Sequence, residues 1–277
     1  MARRRRNRKR TSPLPGILAL LASAVLMLLL LGLMRPGPEL PPTEPVTLPP
    51  KEPTLAPNPY GPEDFVKDDR GYLTCAAGNA VMGIDVSSYQ GSIDWEQVRS
   101  AGVEYVFIRL GYRGTTAGSL NADDRAQEYY RGANAAGLKV GGYFFSQAIS
   151  VEEALEEAEF CLDMTRDWVM EMPLVYDWEY VDADARTADV DRRTLTDCTV
   201  AFCTAVEKAG RTPMIYFNTY QARDLLFLEE LTAWRWWLAL YDAPMTWPYR
   251  VDFWQYTNKG TVPGIGTDVD LNLWLTE

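Results

Sequence analysis

From Val81 onward, the chain alternates between short apolar segments and amphipathic segments, and this alternation restricts the fold more than any other feature. The apolar segments are typical of buried strands, and the amphipathic ones have helical spacing. Gly102, Gly137 and Gly210 each follow a predicted helix, where a left-handed C-cap residue is favoured. Because a strand that returns through a helix pairs in parallel with the next strand, the pattern predicts an α/β fold.

The predicted strands number eight, at residues 82–86, 105–112, 139–146, 173–180, 212–218, 236–241, 251–257 and 269–274. Helices are predicted at residues 95–101, 124–136, 151–166 and 192–209, with a shorter one at 221–231. The last three strands are joined by segments too short for full helices. The sequence therefore predicts an irregular TIM-like (β/α) barrel of eight strands with few helices in its last third.

The N-terminal part of the chain has a different composition. Residues 1–35 contain eight of the 27 basic residues and none of the 38 acidic ones. Residues 17–34 are an apolar run that, as a helix, would span about 27 Å, roughly one hydrocarbon core. We predict a basic cytoplasmic tail at 1–13 and one transmembrane helix at 14–34, which places the rest outside the cytoplasm. The alternative is a cleaved signal peptide and a secreted protein.

A proline-rich segment follows this apolar run. Residues 36–62 contain eleven of the 18 prolines, which is typical of a semi-rigid polyproline II spacer. We predict a Pro-rich linker at 35–63, a transitional segment at 64–80 and the barrel domain at 81–277.

The chain contains no histidine, and this absence excludes several kinds of active site. Ser-His-Asp triads, Cys-His pairs and His-ligated metals all require one. The four cysteines have no zinc-binding spacing, so we expect no metal and no cofactor. They are either disulfide-bonded or buried free thiols. The acidic main body also argues against a nucleic-acid partner.

Carboxylates lie near the ends of several predicted strands. They are Asp85, the pair Asp177 and Glu179, and Asp270. The carboxyl ends of the strands form the active-site face of a β/α barrel, so these side chains are expected to converge there. The alternative for an Asp-x-Glu pair taken alone is a solvated strand end or an ion pair.

Asp177 and Glu179 are two residues apart on one strand, so they face the same way. Two close carboxylates push their pKa values apart, which leaves one protonated while the other is ionised. Cleavage of a glycosidic bond requires this division between an acid and a carboxylate. Together with Asp85 and Asp270 on other strands, the pair therefore predicts a glycoside hydrolase.

Eight short motifs occur in a specific order along the barrel segment. They are GIDVS at 83–87, FIRLGY at 107–112, GYFFS at 142–146, YDWE at 176–179, PMIY at 213–216, WLA at 237–239, FWQY at 253–256 and DVDLN at 268–272. This ordered set resembles glycoside hydrolase family 25, the Chalaropsis-type lysozymes or N-acetylmuramidases. Many relatives have His where this chain has Phe144, but no required proton transfer is assigned to that position.

The resemblance implies hydrolysis of the β-1,4 bond between N-acetylmuramic acid and N-acetylglucosamine of peptidoglycan. It implies that Glu179 is the general acid and that Asp177 orients or stabilises the N-acetyl group of the substrate. Asp85 and Asp270 match the remaining acids of the cleft. Inversion, a protein nucleophile and substrate-assisted attack all stay open as mechanisms, and we favour the last. The alternative functions are a catalytically silent peptidoglycan-binding barrel and a membrane-tethered structural module.

Further side chains on the predicted strands are candidates for binding the glycan strand, with a place in the barrel core as the alternative for the aromatic ones. They are Tyr112, Tyr143, Trp237, Tyr241, Trp254, Gln255 and Arg109. We expect Arg109 to pair with a cleft carboxylate such as Asp85. Trp254 and Tyr256 share one face, whereas Trp236 and Trp237 point in opposite directions. The partners that we expect are peptidoglycan and the membrane, with the chain acting as a monomer.

Overall fold

The computed structural model of the protein describes residues 55–77 and 79–276, which contain eleven strands and four α-helices. The strands are β1 (Phe65–Lys67), β2 (Leu73–Cys75), β3 (Asn79–Val86), β4 (Tyr105–Arg113), β5 (Leu120–Ala122), β6 (Lys139–Ser146), β7 (Leu174–Trp178), β8 (Pro213–Asn218), β9 (Arg235–Ala239), β10 (Phe253–Gly260) and β11 (Val269–Thr276). The helices are α1 (Trp95–Ser100), α2 (Ala126–Ala135), α3 (Val151–Met164) and α4 (Arg192–Lys208).

Eight of these strands close into a barrel, which confirms the predicted fold class. Their order around the barrel is β3, β4, β6, β7, β8, β9, β10 and β11, and β11 pairs with β3 to close it. The first seven pair in parallel, but β11 is antiparallel to both of its neighbours. The connection between β10 and β11 is too short for a parallel crossover, so the chain turns back on itself. The short strand β5 extends the sheet beside β4.

The predicted helices agree with the structure except for the last one. Gly102, Gly137 and Gly210 have φ values of 95°, 75° and 77°, so each provides the left-handed residue after its helix. The shorter helix predicted at 221–231 is instead a π-helical turn at Gln221–Leu225 and a 3₁₀ turn at Leu228–Glu230. The Arg192 guanidinium donates two hydrogen bonds, of 2.9 and 2.6 Å, to the Leu226 carbonyl, which leaves the backbone extended between the two turns.

Apolar side chains fill the barrel interior below the active-site face. Tyr105, Phe107 and Phe253 are fully buried there and make edge-to-face contacts with one another. A Cβ on Gly83 would lie 2.2 Å from the Tyr105 ring, so only glycine leaves room for that ring. A larger apolar cluster packs the outer face of the barrel against the helices. The interior is therefore a packed core with a polar layer above it.

The segment before the barrel, which sequence analysis left unassigned, forms a hairpin of β1 and β2. Phe65 packs edge-to-face against Trp254 with ring centroids 4.9 Å apart. Upstream, Asn58 donates from its backbone N–H to the Pro248 carbonyl at 2.9 Å. The hairpin and this upstream segment therefore pack against the barrel.

The predicted tail at 1–13 and transmembrane helix at 14–34 lie outside the described residues, as does most of the linker predicted at 35–63. In the described part of the chain, no helix is long and apolar enough to cross a membrane. All four cysteines are buried free thiols, which are Cys75, Cys161, Cys198 and Cys203.

Candidate active site

A cleft of about 240 Å³ opens at the barrel face where the parallel strands end. Each of the eight barrel strands contributes a side chain to its lining or directly beneath it. In barrel order these are Asp85, Arg109, Tyr143, Asp177, Tyr216, Trp237, Gln255 and Asp270. A larger cavity, of about 680 Å³, lies between the hairpin and the barrel but is lined by a single carboxylate, Asp242. The convergence of acids is therefore specific to the smaller cleft.

Four carboxylates share this cleft, as the strand-end pattern predicts. Asp85 and Asp177 are nearly buried, with 6% and 5% of their surfaces exposed. Glu179 follows the last residue of β7 and lies on the same face as Asp177. Asp270 lies at the start of β11, not at its end, and pairs directly across the sheet with Asp85. It reaches the active-site rim because β11 runs antiparallel to the other strands.

Asp85 is held by two side-chain amides. Its Oδ2 accepts a hydrogen bond of 2.7 Å from Gln255 Nε2 and one of 2.8 Å from Asn272 Nδ2. Gln255 Oε1 in turn accepts from the hydroxyls of Tyr216, at 2.8 Å, and Tyr241, at 2.6 Å. These bonds fix the Gln255 amide with its N–H₂ group towards the carboxylate, so Asp85 is oriented and its ionised form is stabilised.

Burial raises the pKa of every acid in the cleft. The pKa of Asp85 rises to about 6, even though the amides of Asn272 and Gln255 act in the opposite direction. Burial and the charge of Asp270 raise the pKa of Glu179 to about 7. Burial and the charge of Asp85 raise the pKa of Asp270 to about 8. At neutral pH the cleft therefore keeps protons that isolated carboxyl groups would release.

Asp177 lies close to the other acids of the cleft. Burial, followed by the charges of Glu179 and Asp85, raises its pKa well above the usual range. Its Oδ1 is buried and accepts no hydrogen bond from the residues that the structure describes. A buried oxygen without a partner is costly, and a substrate N–H or O–H group would relieve that cost.

Two buried glutamines hold the backbone that carries Glu179. Gln147 Nε2 donates to the Glu179 carbonyl at 2.7 Å and to the Ser146 carbonyl at 2.9 Å. Gln221 Nε2 donates to the Trp178 carbonyl. Strand β7 ends at Trp178, so Glu179 lies beyond the sheet ladder. The two amides take the place of strand pairing and fix the position of the acid.

Helix α3 supports the backbone of Gln147 through Arg186. Arg186 donates to the Gln147 carbonyl at 2.6 Å and forms an ion pair of 2.6 Å with Glu153 on α3. Glu157, on the same helix, is fully buried and pairs with Arg113 at 2.7 Å. Although α3 is rich in glutamate, Glu153 and Glu157 are therefore not part of a solvated face. Arginines from neighbouring segments turn towards this helix and neutralise the two acids.

Arg109 lines the cleft, but the expected pairing with Asp85 is wrong. Its Nη2 lies 2.8 Å from Oδ2 of Asp123, a nearly buried acid in the segment after β5. Asp85 Oδ2 instead accepts from two side-chain amides, and the Asp123 carboxylate also accepts from the backbone N–H groups of Ser88, at 3.1 Å, and Arg125, at 3.0 Å. The guanidinium also lies over the rings of Tyr89 and Tyr112, 5.0 and 5.4 Å from their centroids.

Of the seven predicted binding residues, five line the cleft, one lies at its edge and one lies outside it. Tyr143, Trp237, Tyr241, Gln255 and Arg109 all line the cleft. Tyr112 stacks beside Arg109 at its edge.

Trp254 does not reach the cleft. It faces the outside of the barrel together with Tyr256, where its Nε1 donates to the Leu240 carbonyl at 3.0 Å and its ring packs against Phe65. The prediction that it binds substrate directly is therefore not supported by its position. Trp236 likewise points outward and Trp237 inward, as strand alternation predicts.

Five polar residues of the site are not among the predicted site residues: Tyr216, Asn272, Asp123, Gln147 and Gln221. Strand periodicity would have indicated Asn272, because it lies two residues after Asp270 on the same face of β11. Tyr216 pairs directly across the sheet with Asp177, a register that requires the barrel to be known. Nothing in the local sequence distinguishes Asp123 or Gln147, since both act across long chain separations.

A profile of the glycosyl hydrolases family 25 matches residues 84–265, about two-thirds of the chain. The chain belongs to glycosyl hydrolase family 25. The matched segment contains Asp85, Asp177 and Glu179 but ends before Asp270. In the structure Asp270 lies beside these three acids, because β11 pairs with β3 and closes the barrel.

Two proteins that bear the name lysozyme resemble the chain over about 70% of its length. Lysozyme M1 of Streptomyces globisporus is 27% identical over 205 residues, which cover 70% of this chain and 67% of that protein. The autolytic lysozyme of Clostridium acetobutylicum is 28% identical over 199 residues, with 69% and 55% covered.

Solved structures show the same barrel. The bacterial lysozyme from Streptomyces coelicolor superposes with a TM-score of 0.60 at 28% identity, covering 70% of this chain and 91% of that one. A modular autolysin from Streptococcus pneumoniae has a TM-score of 0.65 at 24% identity, covering 76% and 52%, and supports the fold.

Proposed function

We propose that the chain is a peptidoglycan hydrolase, a lysozyme that cleaves the β-1,4 bond between N-acetylmuramic acid and N-acetylglucosamine. The observation that carries this proposal is the convergence of Asp85, Asp177, Glu179 and Asp270 in one cleft of a family 25 barrel. Relatives that bear the name lysozyme support the substrate class. A site whose buried carboxyl groups keep their protons near neutral pH suits acid-catalysed cleavage of a glycosidic bond.

Glu179 is the proposed general acid. Its pKa of about 7 leaves a proton to donate to the leaving oxygen near neutral pH, and Gln147 and Gln221 hold its backbone in place. Asp177 is proposed to receive the N–H of the substrate acetamido group on its unpartnered Oδ1. This contact would orient the acetamido oxygen for attack on the anomeric carbon.

Asp85, whose pKa of about 6 leaves it ionised at neutral pH, is proposed to stabilise the positive charge that develops on the sugar ring in the transition state, with Asp270 beside it in the cleft. The proposed mechanism is therefore substrate-assisted and retains the anomeric configuration. Proton NMR of freshly released reducing ends should show the retained β-anomer first. An initial α-anomer would contradict substrate assistance and indicate direct displacement by water.

The activity is tested with the full-length protein and purified cell walls. Wild type should release reducing ends and clear the suspension, whereas Glu179→Gln should lower the rate about 100- to 10,000-fold because the proton donor is lost. Glu159→Gln, an exposed acid on α3, serves as the matched control and should keep full activity. Circular dichroism checks that each variant is folded. A wild-type protein that binds walls and leaves them intact would instead indicate a silent binding barrel.

We further propose that the chain acts outside the cytoplasm, as a monomer held at the membrane by residues 14–34. One chain supplies all eight strands that surround the cleft, so the site requires no second copy. Such an anchor would keep the barrel close to the cell's own wall, which favours remodelling of that wall.

A further inference from the structure

Exposed apolar side chains are concentrated on the barrel face that carries the cleft. The described residues expose nine large apolar side chains, and seven of them lie at or just beyond the strand ends on this face. These seven are Tyr89, Tyr112, Ile149, Tyr180, Val181, Tyr220 and Tyr241. The other two, Val66 and Val169, lie in the hairpin and in the segment before β7. Apolar surface gathered on one face in this way marks a surface that binds a ligand.

Tyr180 and Tyr220 form a pair within this group. They are 41% and 45% exposed, and their rings meet edge to face with centroids 6.4 Å apart and planes at 78°. Tyr180 directly follows Glu179, and Tyr220 directly precedes Gln221, whose amide binds the Trp178 carbonyl. The pair is therefore built on the same backbone framework that positions Glu179.

Another exposed aromatic residue, Tyr89, lies on the opposite side of the cleft from this pair. Tyr89 follows β3, is 78% exposed and stacks on Arg109. In the eight-stranded order, β3 and β8 are four strands apart, so Tyr89 and Tyr220 leave the barrel on opposite sides of the opening. A linear polymer that crosses the cleft would meet aromatic rings both before and after the acids.

The charge around the pair distinguishes between possible ligands. The segment after Tyr180 carries Asp182, Asp184, Asp189 and Asp191, and its arginine, Arg186, is paired with Glu153. Phosphate-rich polymers would be repelled by this segment. The C–H faces of sugar rings stack on aromatic rings without any requirement for charge.

We propose that Tyr180 and Tyr220 form a sugar-binding subsite outside the cleft, which holds the glycan strand beyond the bond that is cleaved. This inference rests on the proposed lysozyme activity and deepens it. It assigns the enzyme a preference for long glycan strands over fragments that only fill the cleft. The occupant is a neutral sugar ring of the same strand.

The test compares two substrates with the full-length protein. One is long glycan strands freed of their peptides, and the other is the tetrasaccharide GlcNAc-MurNAc-GlcNAc-MurNAc, which contains a single bond of the cleaved kind. We expect Tyr180→Ala/Tyr220→Ala to lower kcat/KM about tenfold on long strands, mainly through KM, because the stacking surface is lost. The ratio of long-strand to tetrasaccharide kcat/KM should fall by about the same factor.

Two further variants separate stacking from other effects. Tyr180→Phe/Tyr220→Phe keeps both rings and should keep the long-strand preference. Val66→Ala/Val169→Ala removes exposed apolar surface away from the cleft face and should match wild type. Thermal melting checks that the tyrosine variants are folded.

The inference is overturned if the double alanine variant changes neither rate, or lowers both rates by the same factor. It is also overturned if the double phenylalanine variant behaves like the double alanine one, since hydroxyls would then carry the effect. If the wild-type protein cleaves neither substrate, the proposed lysozyme activity itself is contradicted. The two failures are therefore distinguishable.

Discussion

Glu179 and its three acidic neighbours occupy a cleft where burial opposes each additional negative charge. The pKa values of Asp85, Glu179 and Asp270 rise to about 6, 7 and 8, with burial as the main cause. Each group releases its proton at lower pH in the unfolded chain than in the folded one. The folded protein therefore binds more protons than the unfolded chain between about pH 4 and pH 8, and its stability declines as the pH rises through that range.

This linkage predicts that removing one acid stabilises the protein at alkaline pH. Glu179→Gln is expected to raise the free energy of unfolding by about 1–3 kcal/mol at about pH 8, because the variant has no charge to bury there. At about pH 4 the side chain is protonated in the wild-type folded state, so the gain should largely vanish. Urea unfolding of both proteins at the two pH values measures the difference. Equal stability at both would contradict a raised pKa for Glu179.

Strand β7 and its neighbouring segments show how an element can position a catalytic group beyond its own end. The sheet pairing of β7 stops before Glu179, and side chains from the segments after β6 and β8 continue the support. Gln147 is fully buried, and its Oε1 accepts from the Thr187 hydroxyl at 2.9 Å, so its amide has one orientation. This orientation points the N–H₂ group at the Glu179 carbonyl.

We expect Gln147→Glu to lower kcat on cell walls about tenfold to 100-fold with little change in KM. The new carboxyl group would face two carbonyl oxygens without a donor when ionised, and a shift of about 1 Å in Glu179 is enough for such a loss. The pH profile of kcat should also change, because the environment of Glu179 changes. Kinetics against pH measure both effects.

Thr199→Val provides the control for this variant. Thr199 is buried on α4 and donates to the Leu195 carbonyl at 2.8 Å, away from the cleft. The substitution removes a buried hydrogen bond and should lower stability while leaving the pH profile unchanged. If both variants lose activity only in proportion to stability, Gln147 has no positioning role.

At the scale of the whole molecule, the distribution of charge divides the chain in two. The first 35 residues contain no acid, whereas the full chain has a net charge of −11. A basic segment before an apolar run favours insertion with the basic side in the cytoplasm. The acidic remainder matches the proposed site of action outside the membrane and away from nucleic acid.

The anchor is tested by fractionating cells that express the full-length protein. We expect the protein in the membrane fraction at its full mass, resistant to salt extraction and released by detergent. A variant without residues 1–34 should leave the membrane fraction but still digest isolated walls. Recovery of a shortened protein from the medium would contradict the anchor and indicate a cleaved signal.

The sequence by itself predicted the barrel and the four acids of its cleft. The alternation of apolar and amphipathic segments depends on local periodicity, and the glycines after helices depend on local backbone conformation. Both signals can therefore be recognised from neighbouring residues in the sequence. Asp85, Asp177 and Glu179 end strands of this pattern and therefore meet at one rim. The family motif at 268–272 predicted that Asp270 lies in the cleft with these three acids.

Only the tertiary structure decided how these acids are supported. Asp270 begins its strand and reaches the rim because β11 is antiparallel, a direction that depends on barrel closure. The pairing of Arg109 with Asp123, and of Gln147 with the Glu179 carbonyl, joins residues whose chemistry matches several other partners equally well. Trp254 faces the hairpin and not the cleft for the same reason. Periodicity specifies which residues share a face, whereas the closed barrel specifies which face is the interior.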